Sequence, residues 1–246
     1  MLINHKKKFL FVHVPKTGGI SIRNIISKIP DTFTLNPPHG GVEFVREMFG
    51  NLDKYYKFTI VRNPFDWYMS FFSFKDSSWS HDVYTPENKK NFQKWINGLL
   101  DIDTDLDSLR KNKKNIIGGL DFKFLCFLLE NNKKIKNAGW LTHLLIYSCC
   151  LNFKDILEKK IDHICNNIDK YFYIDAFVPT EEICNIKNYL NHSALKEHLN
   201  NYQIPHLNKG DYNKNEFSFD DNLKKKIYDR DALAFEIYNR SLKKQK

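Results

Sequence analysis

Three stretches of this sequence carry residue types suited to holding and reacting a phosphorylated ligand. The first is Pro15-Lys16-Thr17-Gly18-Gly19-Ile20-Ser21. Its lysine supplies a mobile cation, and its two glycines let the backbone approach an anion closely and adopt positive φ. The hydroxyls of Thr17 and Ser21 add hydrogen-bond donors. The second runs from Val61-Arg62-Asn63-Pro64 to Ser70. A guanidinium and a hydroxyl converging there would clamp a second phosphate. The third is Pro37-Pro38-His39-Gly40-Gly41, which sets an imidazole in a turn between the other two. An imidazole suits general-base work near neutral pH.

These groups need elements to position them. The apolar run 9–14 reads as a buried strand that stops at Pro15, and Ile22, Ile25, Ile26 and Ile29 then recur at helical spacing. Strand, tight turn and helix start present successive N–H groups, and the positive end of a helix dipole, to an anion. The loop is P-loop-like but not of the ATPase kind, because the Walker order places its lysine after the last glycine. Residues 57–61 form a second strand, and Pro64 suits the first turn of a following helix. Arg62 then sits at the carboxyl end of a strand, where open α/β sheets bind ligands. The residues alone also fit an ordinary turn that carries a lysine, and a local Arg62–Asp66 brace.

The rest of the chain alternates in the same way. Helices are expected over 19–29, 42–49, 64–74 and 89–100, and residues 139–169 are mostly helical. A strand is expected over 171–178, then a helix after Pro179 capped by Thr180. A loop follows over 198–216, and a last helix over 220–242. The fold class this implies is α/β, one domain spanning 1–246 with a central, mostly parallel sheet flanked by helices.

The two N-terminal motifs, in this order and at this separation, resemble the PAPS-dependent sulfotransferase superfamily. The likeness is to its carbohydrate-modifying branch, the heparan-sulfate 2-O-type and family 2-like enzymes. PAPS is 3′-phosphoadenosine 5′-phosphosulfate. The resemblance implies that Lys16, Thr17, Gly18, Gly19, Ile20 and Ser21 hold its 5′-phosphosulfate and that Arg62 and Ser70 hold its 3′-phosphate. It also implies that Asn208 and Lys209, in a C-terminal loop, complete the donor site. A histidine between the motifs is the family's catalytic base, which points to His39, and no metal is implied. Ile20 stands where the family often has threonine, Gly210 where serine often follows Asn-Lys, and Trp67 where a basic residue is common, removing a charge on the acceptor side.

Sulfuryl transfer is an in-line displacement governed by positioning and charge stabilisation. A base must take the acceptor hydroxyl's proton, and a cation must stabilise the departing phosphate. His39 and Lys16 are the catalytic expectations, with His206, Glu43 and Asp175 as alternative bases. His13 reads as structural and His143 as a satisfied buried histidine. The expected partner is a carbohydrate or other hydroxyl acceptor. The competing functions are a kinase or NTPase, which lacks the Walker lysine and a carboxylate for magnesium, and a non-catalytic basic binding module.

A net charge of +9, from 38 basic and 29 acidic residues, suits an anionic donor. The lysines are scattered in short runs at 6–8, 111–114 and 224–226, which argues against a nucleic-acid partner. Cys126, Cys149, Cys150, Cys165 and Cys184 show neither metal-ligand spacing nor a disulfide framework, as expected of reduced thiols. No apolar run approaches the roughly 18 residues of a membrane span. No signal-peptide stretch precedes the first strand. Golgi sulfotransferases carry an N-terminal anchor, so this is either a soluble intracellular enzyme or a chain lacking its anchor, and the simpler expectation is cytoplasmic.

Overall fold

In the computed structural model, which describes residues 1–36, 38–73, 92–100, 137–156, 159–204 and 217–243, the N-terminal apolar run is one arm of a hairpin. Strand β1 (Leu2–Asn4) turns through three lysines into β2 (Phe9–Val12), with Lys8 in the left-handed region at φ 56. After the candidate loop come α1 (Gly19–Ile26), β3 (Thr32–Thr34), α2 (Gly41–Phe49), β4 (Tyr56–Val61) and α3 (Pro64–Phe72). The next described elements are α4 (Phe92–Leu100), α5 (Trp140–Cys149), α6 (Phe153–Ile156), α7 (Ile161–Cys165) and α8 (Ile168–Tyr171). Strand β5 (Ala176–Pro179) runs directly into a 3₁₀ helix (Thr180–Asn188), and α9 (Ser193–Asn200), α10 (Asp221–Arg230) and α11 (Ala232–Lys243) complete the described chain.

The sheet order is β3-β1-β2-β4-β5. β2 pairs with β4 and β4 with β5 in parallel, while β1 is antiparallel to both its neighbours. Four of the five strands therefore point the same way, as a mostly parallel sheet requires. Side chains alternate along β2: Phe9 and Phe11 enter one core, Leu10 and Val12 the other. Ile22, Ile25 and Ile26 of α1, with Leu195 and Leu199 of α9, close the first face. The larger core on the second face takes Val42 and Val45 of α2, Trp67 and Phe71 of α3, Trp140 of α5 and Ile237 of α11. The result is a three-layer α/β arrangement.

Several expectations shift. The strand expected over 171–178 begins only at Ala176. Tyr171 closes α8, and Asp175 turns its carboxylate back to the Lys57 amide at 2.7 Å. A helix, α9, occupies residues before and into the stretch given as loop from 198. Thr180 does not cap the helix that follows it. The long C-terminal helix is broken in two at Asp231, which has φ −111 and ψ 31. The cause of the break is polar. Asp231 is fully buried and receives the Tyr68 hydroxyl and the Thr142 amide, the latter at 2.8 Å. Gly139 allows this close approach, since a Cβ there would lie 2.6 Å from a carboxylate oxygen. The carboxylate thus ties α3 to α5 and to the C-terminal helices.

Removing it leaves two buried donors unpartnered, at ~1–3 kcal/mol each. Asp231→Ala is therefore expected to lower unfolding stability by about 2 kcal/mol or more in urea titrations. Burial raises the Asp231 carboxyl to about 6. Its folded-state value exceeds its unfolded one, so its contribution grows as pH falls from about 6 toward ~4 and is lost as pH rises through 6. The stability gap between wild type and variant should widen over that interval, and a constant gap would contradict the assignment.

Candidate active site

The parallel strands end together. Val12 pairs with Thr59, and Val61 with Pro179, so the segments leaving β2, β4 and β5 emerge at one edge of the sheet. From β2 the chain passes through Lys16 at φ 64 and Gly18 at φ 88, both left-handed, before α1 begins at Gly19. Along this twisted path six carbonyls in succession find donors. His39 Nδ1 donates to the His13 carbonyl (2.8 Å), and the Thr17 hydroxyl to that of Val14 (2.9 Å). The Trp67 indole donates to Pro15 (2.9 Å) and the Arg62 guanidinium to Lys16 (3.2 Å). The Thr180 hydroxyl lies 2.7 Å from the Thr17 carbonyl, and the Ser21 amide donates to Gly18 (3.2 Å).

The loop's amide groups precede or open α1. Those of Gly19 and Ile20 fall in the first turn of α1, which has no intrahelical acceptors for them. No side chain caps this helix. The arrangement is fit to bind an anion through backbone donors and the helix dipole. Ile20 is 44% exposed, so its side chain stays out of the packing while its N–H remains in the turn.

Charge follows the same geometry. Arg62, at the end of β4, is brought against the Lys16 backbone. Burial first, then the Arg62 guanidinium, lowers the Lys16 ammonium to about 8. Two cations held this close in partial burial favour an anionic ligand between them. Asn63 caps α3 by accepting from the Phe65 amide at 3.0 Å, and Pro64 occupies the first helical position as expected. Ser70 lies further along α3, 9% exposed.

His39 lies beside the loop, with its ring centroid 4.5 Å from that of His13. A carbonyl can only accept, so its bond to His13 places the proton on Nδ1 and leaves Nε2 with a lone pair. That is the tautomer a general base needs. The alternative carboxylates are engaged elsewhere. Glu43 bonds Arg46 at 3.1 Å and receives the Asn152 amide. Asp175 sits at the amino-terminal ends of β4 and β5, 3.1 Å from Lys57 Nζ. His143 is buried, its Nδ1 2.8 Å from the Gly139 carbonyl, as its sequence context suggested. Asn208, Lys209 and His206 lie outside the described residues, as do Cys126 and Pro37.

The structure corrects one side-chain role. The Thr17 hydroxyl is fully buried and donates within the loop, so Thr17 offers a ligand only its amide. Trp67, which stands where a basic residue is common, is 1% exposed, and its indole holds the loop from beneath. Sequence reasoning missed Thr180, whose hydroxyl reaches the Thr17 carbonyl and, at 2.9 Å, that of Val61. A threonine directly after a strand at the ligand edge was the available signal.

Trp67→Phe keeps the apolar packing and removes one donor, leaving the buried Pro15 carbonyl unsatisfied. Stability should fall by ~1 kcal/mol. Amide exchange should accelerate selectively at Thr17 to Ile20. Unchanged exchange in that stretch would show that the indole does not brace the loop.

The sequence matches the family model described as Sulfotransferase family over residues 1–136, which takes in the loop, His39, Arg62 and Ser70. No curated protein and no solved structure matches it. With the loop geometry and this match together, the chain belongs to the sulfotransferase family and is a PAPS-dependent sulfotransferase.

Proposed function

We propose that this enzyme, acting as one catalytic domain over 1–246, transfers the sulfuryl group of PAPS to a hydroxyl of a carbohydrate or glycoconjugate, with His39 as the base. The observation that carries the proposal is the His39 tautomer, fixed by the same strand end that feeds the anion-binding loop. The carbohydrate acceptor rests on the likeness of the two N-terminal motifs to the carbohydrate-modifying branch.

The residues present fit the donor. At Gly18, φ 88 is strained for any side chain, and a Cβ would lie 3.2 Å from Thr180 Cγ2. At Gly19 a Cβ would overlap the His13 ring at 2.3 Å. Only glycines therefore keep the cradle open and close to its braces. Lys16 and the amides of Thr17 to Ile20 would hold the phosphosulfate, and Arg62 with Ser70 the 3′-phosphate, while the Ser21 amide is taken by the Gly18 carbonyl. Bound there, PAPS supplies an activated sulfuryl group on a phosphate leaving group. His39 Nε2 accepts the hydroxyl proton while Nδ1–H stays on the His13 carbonyl, so the ring keeps its orientation as it becomes charged. Lys16, carrying its proton, neutralises charge that builds on the leaving phosphate.

Adenosine 3′,5′-bisphosphate should raise the melting temperature well above any shift from 5′-AMP or ATP. Equal shifts with 5′-AMP would remove the 3′-phosphate clamp from the account. His39→Ala should lose roughly 10²–10⁴-fold in kcat, with the acid limb of its pH profile gone, while bisphosphate binding is kept. A near-normal rate would send the search to other bases. Desulfated glycans tested against simple alcohols with labelled donor decide the acceptor class.

The Lys16 value of about 8 sets an alkaline limit. In the free enzyme kcat/KM should fall as pH rises through about 8 and the ammonium deprotonates. Lys16→Arg keeps its charge to far higher pH and should shift that limb out of range, even if its rate is lower. An unmoved limb would assign it to another group.

A further inference from the structure

Seven histidines lie among the described residues, and six of them hydrogen-bond through a ring nitrogen: His5, His39, His143, His163, His192 and His198. His13 is the exception. It is 5% exposed, and its Nδ1 is wholly buried with no partner among the described residues. An unsatisfied buried polar atom is destabilising, and a phenylalanine would fill the same space, stacked on Phe11, without that penalty. Packing alone therefore does not account for an imidazole here.

The other edge of the ring has a different environment. Cδ2 and Nε2 lie over Gly19, with Nε2 2.6 Å from where a Cβ would stand. Gly19 is the first residue of α1, at the mouth of the anion-binding turn. Nε2 is not sealed off as Nδ1 is. A neutral imidazole has one N–H. Placed on Nδ1, it would be buried without an acceptor. Placed on Nε2, it faces the helix N-terminus. The tautomer follows: His13 carries its proton on Nε2, the reverse of its neighbour His39.

We propose that the His13 Nε2–H group is a further ligand of the donor's 5′-phosphosulfate, adding a side-chain hydrogen bond to the backbone amides of the loop. The inference rests on the donor reading given under Proposed function. Burial, then the charges of His39, the N-terminal ammonium and Arg23, holds the His13 pKa well below the ordinary imidazole value. His13 thus acts as a neutral donor and not as a third cation. The two histidines divide the work: one offers a proton to the donor's anion, and the other offers a lone pair to the acceptor's hydroxyl.

The experiment is calorimetric titration of wild type and His13→Phe with adenosine 3′,5′-bisphosphate and, as the control, with 3′-AMP, which lacks the 5′ group. The variant should bind the bisphosphate about tenfold more weakly or worse, the scale of a hydrogen bond to a charged group, and 3′-AMP equally well. Unchanged bisphosphate affinity, or an equal loss for both ligands, overturns the proposal. If His13→Phe does not fold, ¹⁵N-histidine spectra of the wild type decide. The His13 Nε2 resonance should shift when bisphosphate is added and stay put with 3′-AMP, and any other pattern overturns the assignment. Failure of the wild type to bind bisphosphate at all would remove the donor site itself and this inference with it, whereas normal wild-type binding with an unaffected variant removes only the role of His13.

Discussion

The site depends on one constraint: a short loop must turn its carbonyls away from a ligand and its amides toward it. A free peptide would not hold that arrangement, because left-handed backbone at a lysine is costly. Here every carbonyl from His13 to Gly18 is anchored by a donor, and the donors come from α1, α3, the end of β4, the end of β5, the His39 turn and the loop itself. The strain at Lys16 persists because its surroundings over-determine it. Pre-organisation of this kind means the amides need little reordering when an anion arrives.

Helix α3 links the loop to the rest of the molecule. Adjacent residues on it face two tasks: Trp67 reaches the Pro15 carbonyl and Tyr68 reaches the buried Asp231. Because the same helix starts at the Asn63 cap beside Arg62, its placement sets the distance between the two cationic groups. The buried carboxylate contributes to the site at a distance, by fixing the helix on which these side chains stand.

Much of this was legible in the sequence. The apolar run before Pro15, the Gly18-Gly19 pair and the isoleucines at helical spacing gave the strand, turn and helix, because each is a local rule. Pro64 placed the start of α3 for the same reason. What local rules could not show were contacts between distant residues. Thr180 meets Thr17 across 163 positions, and Tyr68 meets Asp231 across the same separation. Leu2-Ile3-Asn4 is too short for any periodicity to mark it as a strand. Asp231 interrupts an unbroken helical pattern, since the carboxylate's buried partners and not its neighbours in sequence decide its backbone. The indole bond from Trp67 to the Pro15 carbonyl is another such contact, across 52 positions.

The family-model match ends at residue 136, yet the hydroxyl that secures the Thr17 carbonyl and the carboxylate under α3 both come from beyond it. The extent of the family match and the extent of the loop's structural support therefore do not coincide. The rear half supplies a hydroxyl after β5, an acceptor where two helices meet, and apolar bulk in between. What lies beyond the match is thus part of what keeps the matched part in shape.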